Sequence, residues 1–293
     1  MEKGRSQVQQ LSWSQYIYCM ILLFLYDPDE GVLKGIYDRW YGRLCDRIYQ
    51  YVIEHAQRGD PESIIKTMDR FCREEQWTFC LGDDKAPIVR KIVQETKPMT
   101  CLELGTFVGY SAINAARELP EGSRYLCVEA DEDRAFIARK MVEFAGLQDV
   151  VTFRFKQMDL TLTPNGTSHA SLGLGSQLNE SERICVVSRS VQVIKGFSNK
   201  VIPNLKDEFN IDSFDYVFID HVKSLYKADL ILLEDHRLVR NETVVVADNM
   251  VIPGSPNYLE YVRNSPKYES EYFESSFEFT SLPDGIEKSI FVG

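Results

Sequence analysis

Two hydrophobic periods alternate along this chain, and their order predicts its architecture. After Pro28 the first stretches read as helices. Ile36 to His55 places Leu44, Ile48 and Val52 at helical spacing, and Asp60-Pro61 opens a second helix running to about Glu74, with aspartate as N-cap and proline in the first turn. Asp83-Asp84 is expected to cap a third helix, Lys85 to Glu95. From Pro98 onward, short β-branched runs take turns with amphipathic stretches. Strands are expected at Met99–Leu104, Arg124–Glu129, Val191–Lys195, Phe214–Asp220 and Thr243–Asp248. Helices are expected at Tyr110–Leu119, Asp133–Ala145, Lys200–Phe209, Leu225–His236 and Pro256–Arg263. Repeated strand–helix units of this length predict an α/β fold, doubly wound around a mostly parallel sheet. Two closing strands, near Tyr268–Phe279 and Lys288–Val292, have no helix between them and should form an antiparallel pair at the sheet edge. Seven strands result.

One segment breaks the rhythm. Residues 157–188 are rich in Ser, Thr, Asn and Gly and poor in large apolar side chains, which marks a disordered insertion. Val150–Phe155 and Val191–Lys195 flank it, and the sheet has room for one of them. The second is preferred, because Gly196-Phe197-Ser198-Asn199 follows it as a loop at the working end of the sheet.

Several strands end in carboxylates. Val217-Phe218-Ile219 runs into Asp220-His221-Val222-Lys223, and Val244–Ala247 runs into Asp248-Asn249. A buried parallel strand looks like this when its C-terminal end delivers polar groups into a crevice. Two neighbouring strands ending so would gather Asp220, Asp248 and Asn249. Three oxygen ligands with room for water or substrate suit Mg²⁺ better than Zn²⁺. Lys223 would reach whatever the metal holds. Further upstream, Leu102-Glu103-Leu104-Gly105 through Gly109-Tyr110-Ser111 reads as strand, glycine turn and helix start. Its spacing is not the Gly-x-Gly-x-x-Gly of a dinucleotide site, so a pyrophosphate seat is not expected. Glu103 at the strand tip suits an amino or sulfonium group, and Glu129, ending the next strand, could accept both hydroxyls of a ribose. S-adenosylmethionine (SAM) fits that description.

Composition narrows the partners. With 293 residues, a 44% hydrophobic fraction and a formal charge of −11, the chain suits one large α/β domain or two small ones and disfavours nucleic acid, which needs a basic footprint. Seven scattered cysteines without a Cys-x-x-Cys pair suggest reduced thiols in a reducing compartment. Near the N-terminus, Tyr16–Tyr26 is an apolar run of about 11 residues where a spanning helix needs roughly 20. A short signal-anchor, an interfacial helix and a packed helix all fit that run. Sequons at Asn165, Asn179 and Asn241 are read as chance patterns.

Over residues 42 to 293 the chain resembles the catechol O-methyltransferases. The resemblance is carried by Gly82-Asp83 with Lys85, Leu102–Ala112, the glutamate of Leu126–Ala130, Glu143–Asp149, Val217–Lys223, Ile231–Asn249, Ile252–Pro256 and Asp284–Lys288. It implies a Rossmann-like SAM-dependent methyltransferase domain spanning 42–293, preceded by an extension over 1–41. It implies Mg²⁺ on Asp220, Asp248 and Asn249, with a catechol oriented by both its oxygens. Lys223 then takes the proton from the hydroxyl to be methylated, as a partly desolvated lysine beside a dication can, and Glu278 hydrogen-bonds the other hydroxyl. Close placement of the two reactants supplies much of the acceleration. The cofactor contacts implied are Leu81, Glu103, Gly105, Tyr110, Ser111, Glu129, Ser198 and His221, the last packing against adenine. Substrate contacts are Trp77, Lys223, Asn249, Pro253 and Glu278. The partner implied is a small catechol, with a monomeric cytoplasmic enzyme and membrane contact through residues 11–26 as the open point. Departures from the family pattern are Val222, where tryptophan is usual, Asn199 for glutamine and Phe79 for methionine. The competing reading is a membrane-tethered relative acting by partner binding or trafficking, similar to the transmembrane O-methyltransferases. Loss of the metal carboxylates would favour it, and they are present.

Overall fold

The structure is a computed structural model that describes residues 44–147 and 190–293. The apolar run at 11–26, the 157–188 insertion and the candidate strand Val150–Phe155 lie outside the described residues. Among the described residues no helix is long and apolar enough to cross a membrane.

Helix α1 covers 44–55. Helix α2 (Pro61–Arg70) starts as expected, with the Asp60 side chain accepting from the backbone N–H groups of Glu62 and Ser63. It continues into a wider turn, Phe71–Glu75. Helix α3 starts earlier than expected, at Gly82, and runs to Thr96. Asp83 and Asp84 therefore lie inside its first turn, where they favour the helix dipole without capping it.

Strands β1 (Thr100–Leu104), β2 (Arg124–Glu129), β3 (Ser190–Lys195), β4 (Tyr216–Ile219) and β5 (Val244–Ala247) are parallel neighbours. With β6 (Tyr268–Ser276) and β7 (Pro283–Phe291) the sheet order is β3-β2-β1-β4-β5-β7-β6. The order reverses between β1 and β4, and at such a reversal the connecting chains diverge and leave a crevice at the strand tips. Strand β3 is the segment preferred from the sequence, registered against β2 from Ser190 opposite Arg124 to Lys195 opposite Glu129. Helices α4 (Tyr110–Ala116) and α5 (Glu132–Phe144) follow β1 and β2. The expected helix Lys200–Phe209 is instead divided into α6 (Ser198–Val201), a single tight turn and α7 (Leu205–Phe209). Pro203 explains the division, since it lacks the N–H that a continuous helix would use. Helices α8 (Tyr226–Asp235) and α9 (Pro256–Asn264) complete the set.

Successive strand residues feed opposite cores. Cys101, Tyr125, Cys127, Tyr216, Phe218 and Val246 pack beneath α1 to α5. Leu102, Leu104, Leu126, Val217, Ile219 and Val245 pack beneath α8 and α9. Burial on both faces is why these strands read as unbroken apolar runs.

The closing hairpin departs from the sequence expectation at both ends of its turn. Strand β6 ends at Ser276, and β7 begins at Pro283 rather than Lys288. Pro283-Asp284-Gly285 reads as a turn, yet Gly285 pairs with Glu274 inside the ladder. A side-chain carbon at Gly285 would sit 2.4 Å from both the Tyr272 hydroxyl and the Phe273 carbonyl oxygen. The Tyr272 ring thus covers the glycine, a packing that supplies the contact a strand glycine lacks. β7 also pairs antiparallel with β5, which places the β6–β7 turn beside the β5 tip.

Candidate active site

The glycine turn is fixed by contact with β4. At Gly105 φ is +87°, and an added Cβ would meet the Asp220 carbonyl oxygen at 2.5 Å and His221 Cβ at 2.8 Å. Only glycine allows the β1 tip to pass so close. Asp220 N–H donates to the Leu104 carbonyl at 2.9 Å, so the two tips are bonded side by side. Glu103 is fully buried; its Oε1 accepts from Ser111 Oγ and its Oε2 from Tyr125 OH, both at 2.7 Å. Burial pushes its carboxyl up to about 7, with the hydroxyl donors opposing the shift.

Glu129 ends β2 with its carboxylate already held. Oε2 accepts from Phe107 N at 3.0 Å, and Oε1 accepts from Asp131 N at 3.0 Å and Arg134 Nε at 3.1 Å. A carboxylate offers about four acceptor positions. Contact with two ribose hydroxyls therefore requires one of those donors to yield. The expected cofactor residues otherwise divide. Leu81, Ser111 and Ser198 are buried, and Gly82, next to Leu81, packs against the backbone of Glu278 and Phe279. The phenol of Tyr110 points elsewhere, donating to Asp69 Oδ1 of α2 at 2.7 Å. His221 Nε2 donates to Asp229 Oδ2 at 2.7 Å, its ring stacks on Tyr226 with centroids 5.2 Å apart, and its Nδ1 has no hydrogen-bond partner.

At the β4 and β5 tips the structure gathers Asp220, Lys223, Asp248, Asn249 and Glu278. Asp248 N–H donates to the Ile219 carbonyl at 3.1 Å, so the aspartates end adjacent strands. Lys223 Nζ donates to Asp220 Oδ1 at 2.7 Å and to Tyr226 OH at 2.5 Å. Asn249 adopts φ +60°, a region asparagine tolerates better than most residues. Its amide nitrogen donates to Asp284 Oδ2 at 3.1 Å and approaches Glu278 Oε1 at 3.4 Å. The amide carbonyl oxygen is left as the donor atom for a cation.

Glu278 sits in the tight β6–β7 turn with φ +26°, a strained value for a residue with a side chain. Trp77 helps to hold it, its Nε1–H donating to the Glu278 carbonyl at 2.8 Å. The indole was expected as a substrate wall. It is 1% exposed and packs edge-on to Phe79 at 4.7 Å, under the turn. Pro253 stays exposed in the turn Met250–Gly254, which Ser255 Oγ ties to the Lys223 carbonyl at 2.9 Å.

Two residues of this cluster were not assigned from the sequence. Lys85 is fully buried, with Nζ 2.6 Å from Asp284 Oδ2 and 2.7 Å from Asp248 Oδ1. Asp284 accepts from Val251 N at 2.8 Å and Ile252 N at 3.2 Å through its other oxygen. A lysine in the first turn of an amphipathic helix ordinarily faces water; the only sequence signal was its place in the family-like stretch.

The donor set fits a hard divalent cation. Among the described residues no three His, Cys, Asp or Glu side chains form a metal cluster; here the third oxygen beside Asp220 and Asp248 would be the carbonyl of Asn249. Both oxygens of Asp248 and Glu278 Oε2 are buried without a hydrogen-bond partner, and of the three only Asp248 Oδ1 has an ion-pair partner, Lys85 Nζ at 2.7 Å. Burial pushes the Asp248 carboxyl up to about 6, with Lys85 opposing and Asp220 adding. Burial likewise drives Glu278 well above the usual carboxylate range. Four carboxylates face two ammonium groups, and a dication of oxygen preference relieves that crowding.

A family model described as O-methyltransferase matches residues 56–164. Catechol O-methyltransferase B of Danio rerio is 39% identical over 247 residues, 84% of this chain and 78% of that protein. The transmembrane O-methyltransferase homolog of Mus musculus is 30% identical over 264 residues, 89% of this chain and 87% of that protein. The crystal structure of the O-methyltransferase TomG from Streptomyces achromogenes, in complex with SAM, superimposes with a TM-score of 0.57 at 19% identity, covering 78% of this chain and 89% of that one.

Proposed function

This chain belongs to the catechol O-methyltransferase family and is a SAM-dependent O-methyltransferase, and from that premise we propose that it methylates one hydroxyl of a catechol with Mg²⁺ as its metal. The domain is residues 42–293, working as a monomer on a small molecule. The observation that carries the proposal is Asp248 Oδ2, a buried carboxylate oxygen without a partner at the junction of two strand tips.

Asp220, Asp248 and the Asn249 carbonyl would hold Mg²⁺, which supplies orientation of both catechol oxygens and a lowered hydroxyl pKa. Lys223, fixed by Asp220 and Tyr226, takes the proton from the hydroxyl that accepts the methyl group. Glu278, held by Trp77 and strained in its turn, offers Oε2 to the second hydroxyl. Glu103 and Glu129 provide the acidic seats for the amino group and ribose of SAM. The SAM seats lie on β1 and β2 and the catechol seats on β4, β5 and the β6–β7 turn, so bound reactants meet across the β1–β4 junction.

The test is incubation with labelled SAM and a panel of catechols, with and without chelator. Transfer to catechols that stops on chelation and returns with Mg²⁺ is expected. Transfer that survives chelation removes the metal role, and undiminished turnover by Asp220→Ala or Lys223→Ala removes the roles given to those residues. No described residue favours the tethered, partner-binding reading.

A further inference from the structure

We propose that Lys85, anchored by Asp284, is a positioning residue that sets the choice of divalent ion, because it withholds one oxygen of Asp248 from the metal. The inference rests on the metal site proposed above.

Lys85 enters from the first turn of α3 and ends in a closed environment. Its ammonium has Asp248 Oδ1 at 2.7 Å, Asp284 Oδ2 at 2.6 Å and the Phe277 ring centroid at 5.8 Å. None of the three side chains that pair here is exposed enough to exchange with water: Lys85 and Asp248 are fully buried and Asp284 nearly so. A buried charge keeps its partners, since losing one leaves the others unpaired. Asp248 therefore presents Oδ2 alone. Asp284 acts on the next ligand as well, binding the Asn249 amide nitrogen and, through Oδ1, the backbone of Val251 and Ile252. Asn249 is thus held with its carbonyl free and its turn fixed.

Ions differ in what they need from such a set. Ca²⁺ takes six to eight oxygens and often chelates both oxygens of a carboxylate, whereas Mg²⁺ demands an octahedron and keeps several waters. An ion shared between both oxygens of Asp248 would be drawn toward the Lys85 ammonium. Repulsion between those like charges is strong where water is excluded. One oxygen per aspartate, with the Asn249 carbonyl, suits Mg²⁺.

Calorimetric titration of the full chain with MgCl₂ and with CaCl₂, in the absence of catechol, tests this. In Lys85→Met the Ca²⁺ to Mg²⁺ affinity ratio is expected to rise by about tenfold or more. A wild-type protein that binds Mg²⁺ through Asp220, with an unchanged ratio in Lys85→Met, overturns the inference and leaves the metal site standing. Wild-type protein that binds neither ion overturns both. Should Lys85→Met fail to fold, the wild type supplies a second readout. Its infrared difference spectrum on adding Mg²⁺ should show the wide carboxylate splitting of single-oxygen ligation, in a band assigned to Asp248 by its absence from Asp248→Asn. The narrow splitting of a chelating carboxylate in that band overturns the inference.

Discussion

Replacing Glu103 by glutamine removes one titrating group from the middle of the sheet while keeping its shape. The carboxyl is fully buried, receives hydroxyls from Ser111 and Tyr125, and sits at about 7 against an ordinary 4.5. Both partners are hydroxyls and can turn to suit an amide. A raised carboxyl binds its proton more tightly folded than unfolded. Its contribution is therefore complete below about 4.5, falls as pH rises toward 7, and is level above that. Integrating between these two values gives a loss of about 2.5 kcal/mol from pH 5 to pH 8 in the wild type. Urea unfolding of both proteins at several pH values measures it. The expected result is a stability difference between them that shifts by about that amount in favour of Glu103→Gln at pH 8. Parallel curves, with no pH-dependent difference, would refute the reasoning that burial controls this carboxyl. A cationic ligand adds a second signature, because SAM seated on Glu103 favours the ionised form. Binding near pH 7 should then release a fraction of a proton, read from calorimetry in buffers of different ionisation enthalpy.

Gly105→Ala places a carbon 2.5 Å from the Asp220 carbonyl oxygen at φ +87°; a stability loss of about 2–3 kcal/mol is expected, and an unchanged melting temperature contradicts it. Trp77→Phe leaves the Glu278 carbonyl without its indole donor, which should cost about 1–2 kcal/mol and raise the catechol KM with SAM affinity intact. Val222→Trp restores the flat wall usual in the family and should tighten SAM binding; equal affinities by fluorescence titration would show that the wall is dispensable. Deleting residues 157–188 should leave SAM binding intact, since β3 begins after them at Ser190, and loss of binding by the shortened chain would count against this.

Legibility in the sequence followed the physics of each element. The β4 and β5 tips were readable because a strand buried on both faces has no polar position until it leaves the sheet, so Asp220, Asp248 and Asn249 stand out. The choice of β3 was readable from the loop that follows it. The start of β7 was hidden, because what makes Pro283-Asp284-Gly285 a strand is a tyrosine from the neighbouring strand lying over the glycine. Lys85 was hidden for a related reason. Its burial depends on two aspartates far along the chain, and helix periodicity carries no trace of partners that distant. Glu129 was hidden for a different reason: Arg134 and the Asp131 N–H that engage its carboxylate are close in sequence, but the turn that brings them onto it is not written in the strand or helix period.

The hairpin that closes the sheet gives the molecule an order of assembly. Glu278 and Asp284 reach the β5 tip only once β7 has slotted between β5 and β6, and β7 follows every other described strand in the chain. A nascent chain can shape its adenosine-side seat early, from β1 and β2, but its acceptor side waits for β7. A chain that has not yet placed β7 holds the cofactor side of the proposed site without its acceptor side.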